Sequence, residues 1–289
     1  MGFPTARRLV FDVCEELSSS AGDPNKVLRR IGHKPEELRQ FRDSLMTSAM
    51  PSVDAFLENR KEFEIIGKRA IAACLIPHET EASLTRKADR LSWYEYLFHQ
   101  LPASFEAFAS AQLSVITFNY DRSFEYFLFR AVVNSFGIKE DDQGAQLVAS
   151  IPVVHVYGQL CRPHFMGAGG RSYSPDVTED TVRCSAEGIR ILHEGSGTTD
   201  EFTKAQALVE QAEVLCFLGF SYHPTNLERL NVVGLFPGSL FGCCYGMGKN
   251  DIARAESRLR RDSWDSLIDR FGQPDEDALE FLRRYWVFD

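Results

Sequence analysis

No C-x-x-C pair occurs anywhere in the chain, although it carries seven cysteines in 289 residues. Without paired thiols a zinc ribbon has no ligand set. The odd count, spread over Cys14, Cys74, Cys161, Cys184, Cys216, Cys243 and Cys244, points to buried thiols in a reducing compartment and not to a disulfide frame. No apolar run reaches the roughly 18 residues of a membrane span, and the opening MGFPTARRLVFDV lacks the apolar core of a signal peptide. Gly2 invites a myristoylation reading, but Ala6 stands where that motif wants Ser or Thr. Basic residues are not in excess either: the net charge is −9, and the RLRR run at 258–261 sits among acids as a solvated helix face. That balance argues against a protein that tracks a nucleic-acid backbone. A P-loop, a nucleophile elbow, a His pair at metal-ligating spacing, an internal repeat and a low-complexity tract are all missing. His164 and His193 lack partners at ligand spacing and read as surface or structural. The expectation is a cytoplasmic protein with no metal, no nucleic-acid partner and no membrane partner.

What is present is ordinary for a globular chain: 44% hydrophobic and 25% charged residues, in a length that holds one large domain or two modest ones. Ala6, Leu9, Val10, Val13, Cys14 and Leu17 follow the rhythm of an amphipathic helix, with Pro4 and Thr5 at its start. Short helices are expected near 26–31 and 35–47. A long one follows Pro51 on the stripe Val53, Phe56, Leu57, Phe63, Ile66, Ala70, Ala73 and Cys74, and another covers Leu91 to Ser110 with a break at Leu101-Pro102. Residues 26–110 thus form a helical subdomain. From 111 to about 260 the character changes. LSVITF at 113–118, IPVVHVY at 151–157, GIRILH at 188–193, VLCFLG at 214–219 and the run 239–245 read as strands. They alternate with helices at 121–136 (ended by Gly137), 201–212 and 225–232, and helices near 249–260 and 277–285 close the chain. Residues 161–182, rich in Gly, Ser, Pro and Asp, read as a long loop. The pattern is a single α/β domain over 1–289: a Rossmann-like parallel sheet with helices on both faces and a helical N-terminal insertion.

Ligands of such sheets bind beyond the carboxyl ends of the strands. The first of these ends is Thr117-Phe118-Asn119-Tyr120-Asp121, where the simpler reading makes Asn119 or Asp121 a helix cap. The second is His155-Val156-Tyr157-Gly158. His155 and Tyr157 share a face, Tyr157 lies nearer the mouth, and Gly158 lets a ligand approach the backbone. The third is Gly219-Phe220-Ser221, leading to Asn226 at a helix start, where N–H groups and a hydroxyl can meet a ribose or phosphate. The fourth is Tyr245-Gly246-Met247-Gly248, whose glycines can admit a flat base. Gly167-Ala168-Gly169-Gly170 resembles a phosphate loop but has no strand–helix junction around it. The recurrence at successive strand ends favours a nucleotide site, with Asn119, Asp121, Tyr157 and Ser221 expected in one cleft.

In order, these segments resemble the sirtuin-like domain family, in its bacterial defence-associated branch. Thr117, Asn119 and Asp121 match a Thr-x-Asn-x-Asp strand end, Tyr157-Gly158 aligns with a His-Gly end, and Gly219 and Ser221 match a Gly-x-Ser end. GFPTARRL and SVDAFLENRKEF look like the family's first helix and helical insertion. The resemblance implies NAD as ligand or substrate, and hydrolysis of NAD to ADP-ribose and nicotinamide in anti-phage defence. In that scheme Asn119 orients the nicotinamide ribose or a water, Asp121 receives the carboxamide, and Gly219 and Ser221 hold the adenosine half. Thr117, Gly158 and Asn226 complete the cofactor set, with a homo-oligomer or a defence-system protein as partner.

Two departures qualify that scheme. Tyr157 replaces the expected catalytic His. A phenol near pKa ~10 is a poor base where imidazole sits near ~6.5, and His155 lies roughly 6.6 Å deeper along the strand, so it would act only through a water. The family's first strand and its G-A-G-x-S pyrophosphate turn are missing before Gly2-Phe3-Pro4, so Met1 is expected to be an internal start of a longer frame that encodes them. The absent zinc ribbon argues against protein deacylation. The alternatives are a catalytically inactive module that senses NAD or ADP-ribose or binds partners, and a structural scaffold whose polar strand ends are caps.

Overall fold

The computed structural model describes residues 3–19, 22–85, 90–192, 199–235, 238–259 and 268–285. Its helices and strands run in chain order as α1 (Ala6–Ser18), α2 (Asp23–Arg30), α3 (Pro35–Thr47), α4 (Val53–Asn59), α5 (Glu64–Leu75), α6 (Glu81–Leu84), α7 (Trp93–Gln100) and α8 (Phe105–Phe108). Then come β1 (Val115–Thr117), α9 (Ser123–Phe136), α10 (Asp141–Ala149), β2 (Val153–His155), α11 (Glu179–Gly188) and α12 (Asp200–Gln211). The last are β3 (Val214–Phe217), α13 (Pro224–Leu230), α14 (Val232–Leu235), β4 (Ser239–Gly242), α15 (Lys249–Arg258), β5 (Ile268–Phe271) and α16 (Ala278–Tyr285). The chain divides into two compact units, one of Met1–Thr85 with Val115–Gly197, the other of Arg86–Ser114 with Thr198–Asp289.

The first unit is built around α5. Ala70, Ile71, Ala72, Ala73, Cys74 and Leu75 are all buried, so this helix is apolar on every side near its end, as a central helix must be. Its small residues let α1, α2 and α11 pack closely against it. Thr5 starts α1 by accepting the Arg8 N–H at 3.3 Å, and Leu9, Val10, Val13, Cys14 and Leu17 form the expected buried stripe. Gly137 ends α9 at φ 64°, a conformation that costs glycine little. In this unit β1 and β2 pair in parallel, with Val115 opposite Val153 and Thr117 opposite His155.

The second unit holds a three-stranded parallel sheet in the order β3-β4-β5, with Phe217 opposite Gly242 and Gly242 opposite Phe271. Tyr222, fully buried, donates its hydroxyl hydrogen to the Cys243 carbonyl at 3.2 Å and ties the turn after β3 to the end of β4. Helix α12 packs on α13 and α14, and α16 packs on α7.

The architecture is mixed α/β with small parallel sheets, and it differs from expectation in several places. The described strands pair as a two-stranded and a three-stranded sheet instead of one continuous ladder. GIRILH supplies no strand: Gly188 closes α11, Ile189 is buried and makes a single antiparallel bridge to Gly158, and His193 lies outside the described residues. The single helix expected after Pro51 is broken at Arg60, whose guanidinium lies 5.5 Å from the Phe56 ring and 4.9 Å from the Phe63 ring. The segment 161–182 is not all loop, because Thr178 caps α11 by accepting the Thr181 N–H at 3.2 Å. Cys161 and Cys184 form a disulfide, against the expectation of free thiols, while Cys14, Cys74, Cys216, Cys243 and Cys244 are free. The loop folds back on α11 and brings their Cα atoms to 5.5 Å, a proximity that no local spacing announces. Among the described residues no helix is long and apolar enough to cross a membrane.

Candidate functional site

In the first unit the register of β1 with β2 brings Thr117, Asn119, Asp121, His155, Tyr157 and Gly158 to one carboxyl edge. The ladder continues past the strands, with Val156 N–H donating to the Thr117 carbonyl at 3.1 Å and Leu160 N–H to the Tyr120 carbonyl at 2.8 Å. Thr117 Oγ1 accepts the Asn119 N–H at 3.1 Å and shapes the turn, leaving Asn119 exposed. Asp121 Oδ1 accepts the Ser123 N–H at 3.1 Å. The carboxylate, one residue before the N-cap Arg122, therefore satisfies the first N–H of α9, and its second oxygen retains further accepting capacity. Cap and ligand group are not exclusive roles.

His155 is buried with Glu125, their Nε2 and Oε1 2.7 Å apart, and its Nδ1–H donates to the Asn119 carbonyl at 2.8 Å. Burial works against the imidazolium, but the Glu125 charge and hydrogen bond and the Asn119 carbonyl outweigh it, so the His155 pKa lies above the ordinary range. Both ring nitrogens are thereby engaged. The sign follows: a raised folded pKa contributes stability that is fully present below the unfolded value near 6.5 and lost as pH rises through the folded value. Unfolding free energy measured in urea from pH 6 to pH 9 should fall in the parent chain and fall less in His155→Gln. Identical profiles would show that the pair is not linked to folding.

On the other side of the turn the Tyr120 hydroxyl donates to Asp54 Oδ1 on α4. Burial and the neighbouring Asp54 charge push the Tyr120 phenol well above its ordinary range, so it stays protonated and acts as the donor. Tyr157 packs edge-on against Phe118, ring centres 5.8 Å apart, and against the apolar core. Gly158 has φ +76°, and a Cβ there would stand 2.0 Å from the Gly188 carbonyl oxygen, so chain crossing alone already demands glycine.

A second buried polar cluster lies within the same unit. Arg122 donates to Glu79 through Nε at 2.9 Å and Nη2 at 2.6 Å, and Arg171 Nη2 donates to the same carboxylate. Arg122 also holds the Arg171 carbonyl at 2.8 Å and the Ser172 carbonyl at 3.1 Å, fixing the loop after Cys161. A cavity of about 340 Å³ between α1 and α3 is lined by Phe11, Cys14, Arg42 and Met46 among others, and none of the strand-end residues lines it.

In the second unit Gly219 (φ +60°) and the exposed Ser221 follow β3, while Tyr245, 64% exposed, and Gly246 (φ +73°) follow the neighbouring β4. These two strand ends share a carboxyl edge, with open space around both glycines. Asn226 sits in the first turn of α13, its N–H bonded to the His223 carbonyl at 3.1 Å. Ser221 thus belongs to a different sheet from Asn119, Asp121 and Tyr157.

Glu125, Asp54 and Tyr120 were missed in the sequence. Each looks like a surface residue or a cap until its buried partner is known. The available signal was weak: acids on helix faces otherwise occupied by Val53, Phe56 and Phe124. No known protein family, curated protein or solved structure matches this chain.

Proposed function

We propose that the chain is a sirtuin-like protein that binds NAD at the carboxyl ends of β1 and β2 and hydrolyses it to ADP-ribose and nicotinamide. The observation that carries the reading is the turn Asn119–Asp121, an exposed amide beside a carboxylate whose backbone is held by buried polar partners at the mouth of a parallel strand pair. Breaking the ribose–nicotinamide bond builds positive charge on the sugar, so fixed dipoles aimed at it stabilise the transition state without a strong base. Asn119 orients the ribose or the attacking water, and Asp121 takes the carboxamide. As a defence effector such a protein would act by depleting NAD.

A second reading is favoured by one specific observation. His155 has both nitrogens engaged, and the phenol of Tyr157 stands where the family's base is expected. That arrangement suits a module that binds NAD or ADP-ribose without turning it over. Incubation with NAD separates the two: nicotinamide release together with a thermal shift supports hydrolysis, a shift alone supports binding only, and neither overturns both.

Within the hydrolase reading, Asp121→Asn keeps an acceptor for the Ser123 N–H but loses the charge. Turnover should fall at least about tenfold, the loss expected from a charged hydrogen bond of about 1.5–3 kcal/mol. Tyr157→Phe should change turnover little. Equal, severe losses in both variants would assign the phenol a chemical role instead.

A further inference from the structure

We propose that Asp54 and Tyr120 are positioning residues for Asn119, an inference that rests on the NAD reading above. The turn is held from two sides. Toward β2, His155 binds the Asn119 carbonyl at 2.8 Å and is itself locked by Glu125 at 2.7 Å. Toward α4, the Tyr120 hydroxyl binds Asp54, and the Tyr120 carbonyl accepts the Leu160 N–H at 2.8 Å. Thr117 takes the Asn119 N–H, so the backbone N–H and carbonyl of Asn119 are both committed while the residue stays exposed. Tyr120 is only 7% exposed, so its phenol anchors the turn internally and leaves the neighbouring residue to face outward. A turn fixed this way presents one amide in one orientation. Loosening one anchor lets the amide wander, and a displacement of about 1 Å can cost as much as ~100-fold in rate.

The test uses the full chain with NAD as substrate and reads kcat and KM of nicotinamide release. Tyr120→Phe and Asp54→Ala should each lower kcat about tenfold or more while KM stays within about twofold, because an anchor orients more than it binds. Asp54→Asn, whose amide oxygen still accepts the phenol hydrogen, should stay near the parent rate. Tyr126→Phe is the control: it deletes a like tyrosine–carboxylate bond, to Glu81, elsewhere in the same unit and should leave kcat unchanged. If Asp54→Ala does not fold, Tyr120→Phe decides alone, since it removes a single oxygen. Unchanged kcat in Tyr120→Phe, or an equal fall in Tyr126→Phe, overturns the positioning role and leaves the NAD reading standing. A parent chain that releases no nicotinamide overturns the hydrolase reading and the positioning role with it.

Discussion

Glu79→Ala is expected to lower the unfolding free energy by about 3–5 kcal/mol, the usual loss when one member of a buried ion pair is removed. Glu79 is fully buried and Arg122 is 1% exposed, so neither charge has water to fall back on. The carboxylate serves two guanidinium groups, through both oxygens toward Arg122 and through one toward Arg171. Without it two cations face each other in the interior, and burial together with Arg122 already pulls the Arg171 pKa below its ordinary range. The loss should come with collapse of the loop that Arg122 holds by the Arg171 and Ser172 carbonyls. Equilibrium urea unfolding measures it, with an unchanged m-value confirming that the denatured state is the same. A loss below about 1 kcal/mol would mean that water or a local shift rescues the two arginines.

Gly158→Ala should destabilise by about 3 kcal/mol, combining overpacking against rigid backbone with a left-handed conformation that L side chains resist. The added methyl would meet the Gly188 carbonyl oxygen at 2.0 Å, and backbone on both sides leaves it little room to move. To make room, the Gln159 N–H must leave the Gly188 carbonyl it now reaches at 3.1 Å, and the bridge between Gly158 and Ile189 must open. Hydrogen exchange should quicken at 156–160 and 186–190 together. Unaltered stability and exchange would show that the crossing of the two segments is looser than its geometry indicates.

The same residues show what was legible in the sequence. Strands β1 to β4 could be read because each is an apolar run dense in Val, Ile, Leu or Phe. Strand β5 could not: IDRF carries two charges, which an edge strand of the order β3-β4-β5 tolerates and a central one would not. Gly137 and Thr5 were legible because caps are local. The partners of Glu125, Asp54 and Glu79 were not, because an acid's burial depends on what folds over it from 30, 66 or 43 residues away. At the strand ends, sequence order found Asn119, Asp121 and Tyr157 on one edge. It also offered Asp121 as a group at the helix start, where the carboxylate does accept the Ser123 N–H, but it did not reveal that both nitrogens of His155 are spoken for.

The link between Cys161 and Cys184 spans 23 residues, and that span includes the exposed stretch Met166–Gly169. A peptide bond broken there frees neither fragment: the chain stays one molecule, with a new pair of ends still tethered through sulfur. Only a thiol strong enough to open the crosslink turns such a hidden nick into two separable pieces, so the intactness of this chain has to be judged under reducing conditions.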